Sequence, residues 1–176
     1  LALAHQQHGR LPWAQLFTPA ITLANQGFAI SPRMATLLAS EPHLKKDPVA
    51  AAYFYDTTGK PWLAGHVLRN PELAAVLQRI ANEGPAALLQ GEVAQAMARK
   101  VQGHPGNPGT LSTQDLAHYQ PLVREPLCFD YAVPATARDY RICGMPPPSS
   151  GAIAIGQVLK LLDNTPASRL PLAQGL

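Results

Sequence analysis

Histidine, cysteine, serine and paired carboxylates are the residues through which this sequence could do chemistry. Of its six histidines, His5 and His8 lie three residues apart and would share one helix face, a spacing a metal ion can use. No third ligand is close in sequence, so the pair reads as a polar, solvent-facing surface and no metal centre is expected. A second cluster is Pro146-Pro147-Pro148-Ser149-Ser150-Gly151. Three prolines impose an extended, polyproline-like path that delivers two serines to the mouth of a following apolar helix. A nucleophilic serine, or an anion nest at a helix start, is the functional reading. The nucleophile needs a base held by a third group, and the Gly-x-Ser-x-Gly elbow is absent. The residues favour Ser149 and Ser150 as structural caps.

Gly103-His104-Pro105-Gly106-Asn107-Pro108-Gly109 is rich in glycine, yet it cannot cradle a phosphate. Pro105 and Pro108 remove two of the amides such a loop uses, and no Gly-Lys-Ser/Thr ending follows. The carboxylate pairs Asp47/Asp56 and Asp115/Glu125 have no special spacing and read as surface charges. Cys128 and Cys143 could pair only if two strands brought them together, which the sequence leaves open. Two cysteines support neither a disulfide scaffold nor a zinc site. Residue chemistry alone therefore assigns no catalytic, cofactor-binding or metal-binding residue.

The elements that would position these groups are mostly helices. A capping residue followed by proline recurs at Ser31-Pro32, Asp47-Pro48, Asn70-Pro71 and Gly84-Pro85. Side-chain oxygens can accept from orphan N–H groups, and proline brings a helical φ with no N–H to strand. Trp13, Leu16, Phe17, Ala20, Ile21 and Ala24 recur at helical steps, which predicts a helix over residues 12–25 with Pro19 kinking it. Gly27 suits the left-handed position after it. A second helix spans 71–82, with Leu73, Val76, Leu77 and Ile80 on one stripe and Gly84 as its stop. Residues 85–90 and 92–102 give two more pieces broken at Gly91, and Gly103 ends the second. Ser112-Thr113-Gln114-Asp115 resembles a capping box, opening a short helix to Tyr119.

Between residues 121 and 145 the character changes. Leu122-Val123, Leu127-Cys128-Phe129, Tyr131 and Tyr140-Arg141-Ile142-Cys143 favour strands, with Pro126 and Pro134 as interruptions. Tyr53-Phe54-Tyr55 suggests a smaller strand with Asp56-Thr57-Thr58-Gly59 as its turn. The helix over 151–162 carries Ile153, Ile155, Val158, Leu159, Leu161 and Leu162 and is apolar nearly all round, so it should be buried on more than one side. The expected fold class is mainly α (α+β): a helical lobe with a minor antiparallel β element. The 176 residues are read as a single partial domain, helical over 1–120, with short strands over 121–145 and a buried-type helix over 151–162.

Composition limits the classes. The chain is 47% hydrophobic but only 14% charged, with 18 prolines and 13 glycines; such apolar content excludes disorder, and the glycines lack a collagen period. A net charge of +3 looks basic, but Lys45-Lys46 and Arg99-Lys100 are the only adjacent cations and no aromatics interleave with them, so no nucleic-acid partner is expected. No apolar run approaches membrane length, and no signal peptide is present in the segment. Leu1 is not a methionine and residues 1–5 read as mid-helix, so an excised piece of a longer protein is expected. Exposed apolar surface on such a piece could drive self-association.

Several stretches together resemble the gamma-glutamyltransferase (gamma-glutamyltranspeptidase) family. They are Gly9-Arg10-Leu11-Pro12-Trp13-Ala14-Gln15-Leu16-Phe17 with Pro19-Ala20-Ile21, Leu23-Ala24 and Gly27-Phe28. Asn70-Pro71-x-Leu73-Ala74 follows, continuing through Ile80-Ala81, Gly84-Pro85 and Gly91. Thr113-x-Asp115-Leu116-Ala117-x-Tyr119 and Met145-Pro146-Pro147-Pro148-Ser149-Ser150-Gly151 complete the series. Their order and spacing place the similarity in the middle of the family's large subunit, over about residues 9–164. The resemblance implies an αββα N-terminal-nucleophile hydrolase, made as a precursor that cuts itself before a threonine. That threonine would attack the gamma-glutamyl amide of glutathione and pass the acyl group to water or an amino acid.

On this resemblance the threonine lies beyond residue 176 and the carboxylate-binding arginine precedes Leu1. The oxyanion glycines and paired serines belong to the small subunit, so Ser149-Ser150 are not those serines. No catalytic residue, cofactor or metal is carried onto this chain, and alone it should be inactive. The implied partners are the rest of the large subunit, the small subunit and a glutathione-like substrate, in a periplasmic or secreted parent. A cephalosporin (glutaryl) acylase of the same superfamily is the alternative parent, and a non-catalytic helical interaction module the alternative class. Ala152 stands where the family usually has a second glycine, and residues 132–138 look like a small insertion.

Overall fold

The computed structural model describes residues 1–133 and 137–165. It divides into two compact units, Leu1–Gln120 and Pro121–Leu176. Pro134 and the middle of the insertion expected over 132–138 lie outside the described residues.

The first unit is helical with one small sheet. In chain order it contains α1 (Ala2–His8), a 3₁₀ turn (Trp13–Phe17), α2 (Thr18–Gln26), β1 (Phe28–Ala29) and α3 (Pro32–Ser40). These are followed by α4 (Pro48–Phe54), β2 (Val67–Leu68), α5 (Pro71–Glu83), α6 (Ala86–Leu89), α7 (Gly91–Gln102) and α8 (Thr113–Ala117). The cap-plus-proline device is realised at three starts. Ser31 accepts from the Met34 amide, Asp47 from those of Val49 and Ala50, and Asn70 from that of Leu73. At the fourth, Pro85 is itself the residue before α6 rather than its first helical residue. The capping box at Ser112 and Asp115 forms in both directions.

Pro19 does not kink a continuous helix. The pattern over 12–25 splits into the 3₁₀ turn and α2, which puts Pro19 in the first turn of α2, where a missing N–H leaves no bond unmade. The Trp13 indole then donates to the Ile80 carbonyl at 2.9 Å, binding the 3₁₀ turn to α5. Ala24 of α2 and Ala74 and Ala81 of α5 are buried.

The expected strand at Tyr53-Phe54-Tyr55 is instead the end of α4. The Asp47-Pro48 cap starts a helix upstream, and Tyr53 and Phe54 pack on the core as part of it, overriding their β propensity. Only Tyr55 is extended, in a single bridge to Pro61. Asp56 closes the turn by accepting from the Thr58 and Lys60 amides.

The small sheet joins β1 and β2 antiparallel, with Phe28 opposite Leu68 and Ala29 opposite Val67. Beside it the core closes on Ile30, Leu38 and Leu68, which are 2%, 5% and 3% exposed. Tyr55 is buried with its hydroxyl on the Leu38 carbonyl, so its one polar atom is satisfied.

The second unit is a hairpin and a helix. β3 (Leu127–Val133) pairs antiparallel with β4 (Arg138–Gly144), and α9 (Gly151–Asp163) follows. Leu122 and Val123 lie ahead of β3 as exposed, irregular chain. Cys128 and Cys143 are directly opposite, with Cα atoms 4.2 Å apart, and form a disulfide. This separation suits a non-hydrogen-bonded pair of an antiparallel ladder. The possibility left open by the sequence is thus realised by strand register.

α9 meets the hairpin with small residues. A Cβ on Gly156 would approach the Phe129 ring to 3.1 Å, and one on Gly144 would come within 2.9 Å of the Ala152 Cβ. The methyl group at 152 is accommodated because Gly144 has none. The expected burial of α9 on more than one side is not seen: Ala152 is its one buried residue, while Ile155 and Leu161 are 53% and 67% exposed.

Candidate functional site

The turn between β4 and α9 holds the most distinctive residues of the sequence. Past Gly144 the chain passes exposed Met145 into three prolines, with a cis peptide between Pro147 and Pro148. The Ser149 amide then donates to the Pro146 carbonyl at 3.1 Å. The Ser149 hydroxyl accepts, at 3.4 Å, from the amide of Gly151. Ser150 makes no cap: its backbone (φ −86°, ψ −10°) is already helical, whereas a capping side chain needs an extended residue. The expected double cap therefore reduces to one long contact from Ser149. Both serines are exposed, and among the described residues no histidine, lysine or carboxylate bonds to either hydroxyl. The turn is a structural connector whose two exposed hydroxyls meet no base among the described residues.

The histidines are dispersed. His5 is half-buried rather than wholly solvent-facing: its Nε2 lies 2.8 Å from the Leu11 carbonyl and its ring meets Trp13 edge-on at 5.3 Å. His66 stacks flat on Trp62 at 3.9 Å, and His118 contacts the Gln114 carbonyl. In the glycine-rich loop, His104 Nδ1 accepts from the Gly106 and Asn107 amides. Those amides are consumed inside the loop, a second reason that it offers no phosphate cradle. Among the described residues no three of His, Cys, Asp or Glu gather as a metal site.

Of the carboxylates singled out by sequence, Asp47, Asp56 and Asp115 serve local structure. All three aspartates titrate below the usual aspartate value. Asp47 is held there first by the Ala50 amide, with Lys100 also contributing. Asp56 is lowered first by the Thr58 hydroxyl and then by the Lys60 amide, and Asp115 by the Ser112 hydroxyl and then its amide. A carboxyl whose folded pKa lies below its unfolded value of about 3.9 adds stability above that value. It loses the contribution as pH falls through the folded pKa. Stability should therefore hold from neutral pH to about pH 5 and decline below about pH 4. Urea denaturation over a pH series measures this, and replacing all three aspartates with asparagine should flatten the acid limb.

An open apolar hollow of ≈ 240 Å³ lies in the first unit, lined chiefly by Ala20, Leu23, Phe28, Leu73 and Leu77. Tyr53 and Asn70 are the lining residues with polar side-chain atoms, and the Asn70 side chain is already committed to capping α5. The hollow can take an apolar group, and its lining holds no carboxylate, histidine, cysteine, serine or lysine.

The residues that sequence chemistry passed over are structural anchors. Trp13 draws residues 9–17 onto α5, and the Asn70 amide bonds to the Ala24 carbonyl at 2.8 Å, tying the start of α5 to α2. The stretches that carry the family resemblance in the first unit are thus pieces of one packed assembly. Their signal was the helical recurrence of Trp13, Phe17, Ile21 and Ala24, not any reactive pattern.

Comparison with known proteins gives the same assignment. The sequence model of the gamma-glutamyltranspeptidase family matches residues 1–174. The glutathione hydrolase proenzyme of Escherichia coli (strain K12) is 33% identical over 165 residues, covering 93% of this chain and 27% of the relative. The Acylase ACY 1 proenzyme of Pseudomonas sp. (strain SE83) is 36% identical over 156 residues, 88% of this chain and 26% of the relative. The crystal structure of Helicobacter pylori gamma-glutamyltranspeptidase superposes with a TM-score of 0.83 at 30% identity, over 97% of this chain and 47% of that one. The chain spans about a quarter of the length of the curated relatives it matches. With the family's sequence model spanning residues 1–174 and a relative 33% identical over 93% of its length, the chain belongs to the gamma-glutamyltranspeptidase family.

Proposed function

We propose that this chain is part of an enzyme that transfers or hydrolyses gamma-glutamyl groups, with glutathione as the first candidate substrate. The parent is an αββα N-terminal-nucleophile hydrolase whose threonine, outside these 176 residues, is freed when the precursor cuts itself. A threonine at a chain end can use its own α-amine as general base, so residues 1–176 need supply neither nucleophile nor base. Their part is scaffold, and the exposed face of α9 is covered by the remainder of the parent. The observation that carries this reading is the family match over residues 1–174. The local uses of Asp47, Asp56, Asp115 and His104 support it. The parent is periplasmic or secreted, and the Cys128–Cys143 disulfide supports an oxidising compartment.

Gamma-glutamyl p-nitroanilide tests the proposal. The full-length protein should release p-nitroaniline, faster with an amino-acid acceptor, and the 176-residue chain should give no turnover above blank. Turnover by the short chain would overturn the scaffold role.

The acylase relative, at 36% identity, favours a second reading: an acylase parent, for which a glutaryl group on a cephalosporin is the candidate substrate. Parallel assays of the full-length protein on both substrates decide between them. Hydrolysis of the glutaryl amide alone would replace the first reading by the second.

A further inference from the structure

The Cys128–Cys143 disulfide has no part in the scaffold role described above. Alternate strand residues face opposite sides of the hairpin. Phe129 lies against Gly156 of α9, so its side of the hairpin is the one that α9 covers. Cys128 and Asp130, with Cys143 and Arg141 opposite them, are on the other side. Cys143 is exposed and Cys128 half-buried. The bond therefore faces away from the packed helix, where a dissolved thiol can approach one of its sulfurs.

We propose that this disulfide is a thiol-reducible clasp that sets the order of the β3–β4 hairpin and, through it, the seating of α9. A small thiol, as its thiolate, attacks Sγ of Cys143. A mixed disulfide forms there, and Cys128 leaves as a thiolate that takes up a proton. A second thiol attacks the mixed disulfide and releases Cys143, so two thiols are oxidised to one small disulfide and the protein gains two free thiols. A two-stranded ribbon has little stability of its own, and this clasp joins residues 15 apart in sequence. Opening it restores chain freedom to the unfolded hairpin, raising the local opening equilibrium roughly a hundredfold. α9 follows because it rests on the hairpin: Ala152 on Gly144, Gly156 on Phe129, and Lys160 Nζ donating to the Asp130 carbonyl at 3.0 Å.

The experiment uses full-length protein purified without reductant, with 2-mercaptoethanol, a monothiol with no gamma-glutamyl group, at millimolar concentration as the probe. Thiols are titrated under native conditions, and amide hydrogen exchange is followed by mass spectrometry. Reduction should liberate both thiols without denaturant and speed exchange over β3, β4 and α9 by roughly a hundredfold, leaving α5 unchanged. The C128S/C143S variant should exchange at the reduced rate and not respond to 2-mercaptoethanol. Thiols already free on purification, or released only in denaturant, would overturn the proposal. So would release with no change in exchange, or with equal acceleration in α5.

Discussion

Replacing Ile30 with alanine should cost about 3 kcal/mol of folding free energy, a large share of the 5–15 kcal/mol typical of a domain. Ile30 sits between β1 and α3 at 2% exposure, enclosed with Leu38 and Leu68 and flanked by Met34, Tyr53, Phe54 and Trp62. Its backbone has little freedom to follow a smaller side chain inward. The Ile30 amide donates to the His66 carbonyl and its carbonyl accepts from the Gly65 amide, both at 2.8 Å. The cavity should therefore stay largely open, and unfilled volume is what makes such truncations expensive. Leu37→Ala is the matched control. Leu37 neighbours Leu38 on α3 but is 56% exposed, so its loss should stay within about 0.5 kcal/mol. Urea unfolding followed by tryptophan fluorescence measures both, with an unchanged m-value expected. A cost below about 1 kcal/mol for Ile30→Ala would mean that the Ile30–Leu38–Leu68 cluster is not the closed core of its unit.

The parts of this fold that sequence makes legible are those decided by neighbouring residues. Ser31, Asp47 and Asn70 cap their helices because the acceptor and the orphan amide lie two or three residues apart, and proline fixes the first φ. β1 and β2 are different. Two residues cannot display a period, and their pairing depends on Ile30 meeting His66 across the intervening helices. Tyr53 and Phe54 misled in the opposite sense: β propensity measures fit to a half-buried surface, and α4 offers them that surface at helical spacing. Ser150 misled because capping depends on a backbone conformation that its residue type does not specify. The disulfide required the hairpin register, which no residue encodes alone. For the candidate site, the reactive residue types pointed to no chemistry, and the ordered motifs between residues 9 and 164 pointed to a family. These motifs mark packing, as Trp13, Ala74 and Ala81 show.

Gly27 is the motif position where that distinction can be measured. Gly27→Ala should destabilise by about 4 kcal/mol and Gly84→Ala by about 2 kcal/mol. Both glycines follow a helix, and each donates its amide to the carbonyl four residues back, Leu23 and Ile80. Gly27 has φ +91°, ψ 168° and Gly84 φ +79°, ψ −167°. Neither takes the ordinary left-handed helical conformation that the sequence suggests for Gly27. Both occupy the extended region at positive φ that is left to glycine, where another residue is strained by about 1–3 kcal/mol. The backbone penalty is therefore common to the two sites, and their surroundings set them apart.

At Gly84 an added Cβ meets no atom within 4 Å. At Gly27 it would meet Val67 Cγ1 at 2.5 Å, the Leu68 carbonyl oxygen at 2.7 Å and Arg69 Cγ at 2.8 Å. The two side-chain atoms can swing aside. The Leu68 carbonyl cannot, because the Phe28–Leu68 pairing fixes that backbone, so relief requires β1 and β2 to part. Overpacking of this kind costs about 1–3 kcal/mol, which supplies the difference between the variants. Differential scanning calorimetry of both proteins reads that difference directly. Equal melting temperatures would show that the approach of β2 imposes nothing at Gly27 beyond its backbone conformation. A gap of several degrees would make Gly27 the residue that lets β2 close against the end of α2, and so allows Leu68 to reach Ile30.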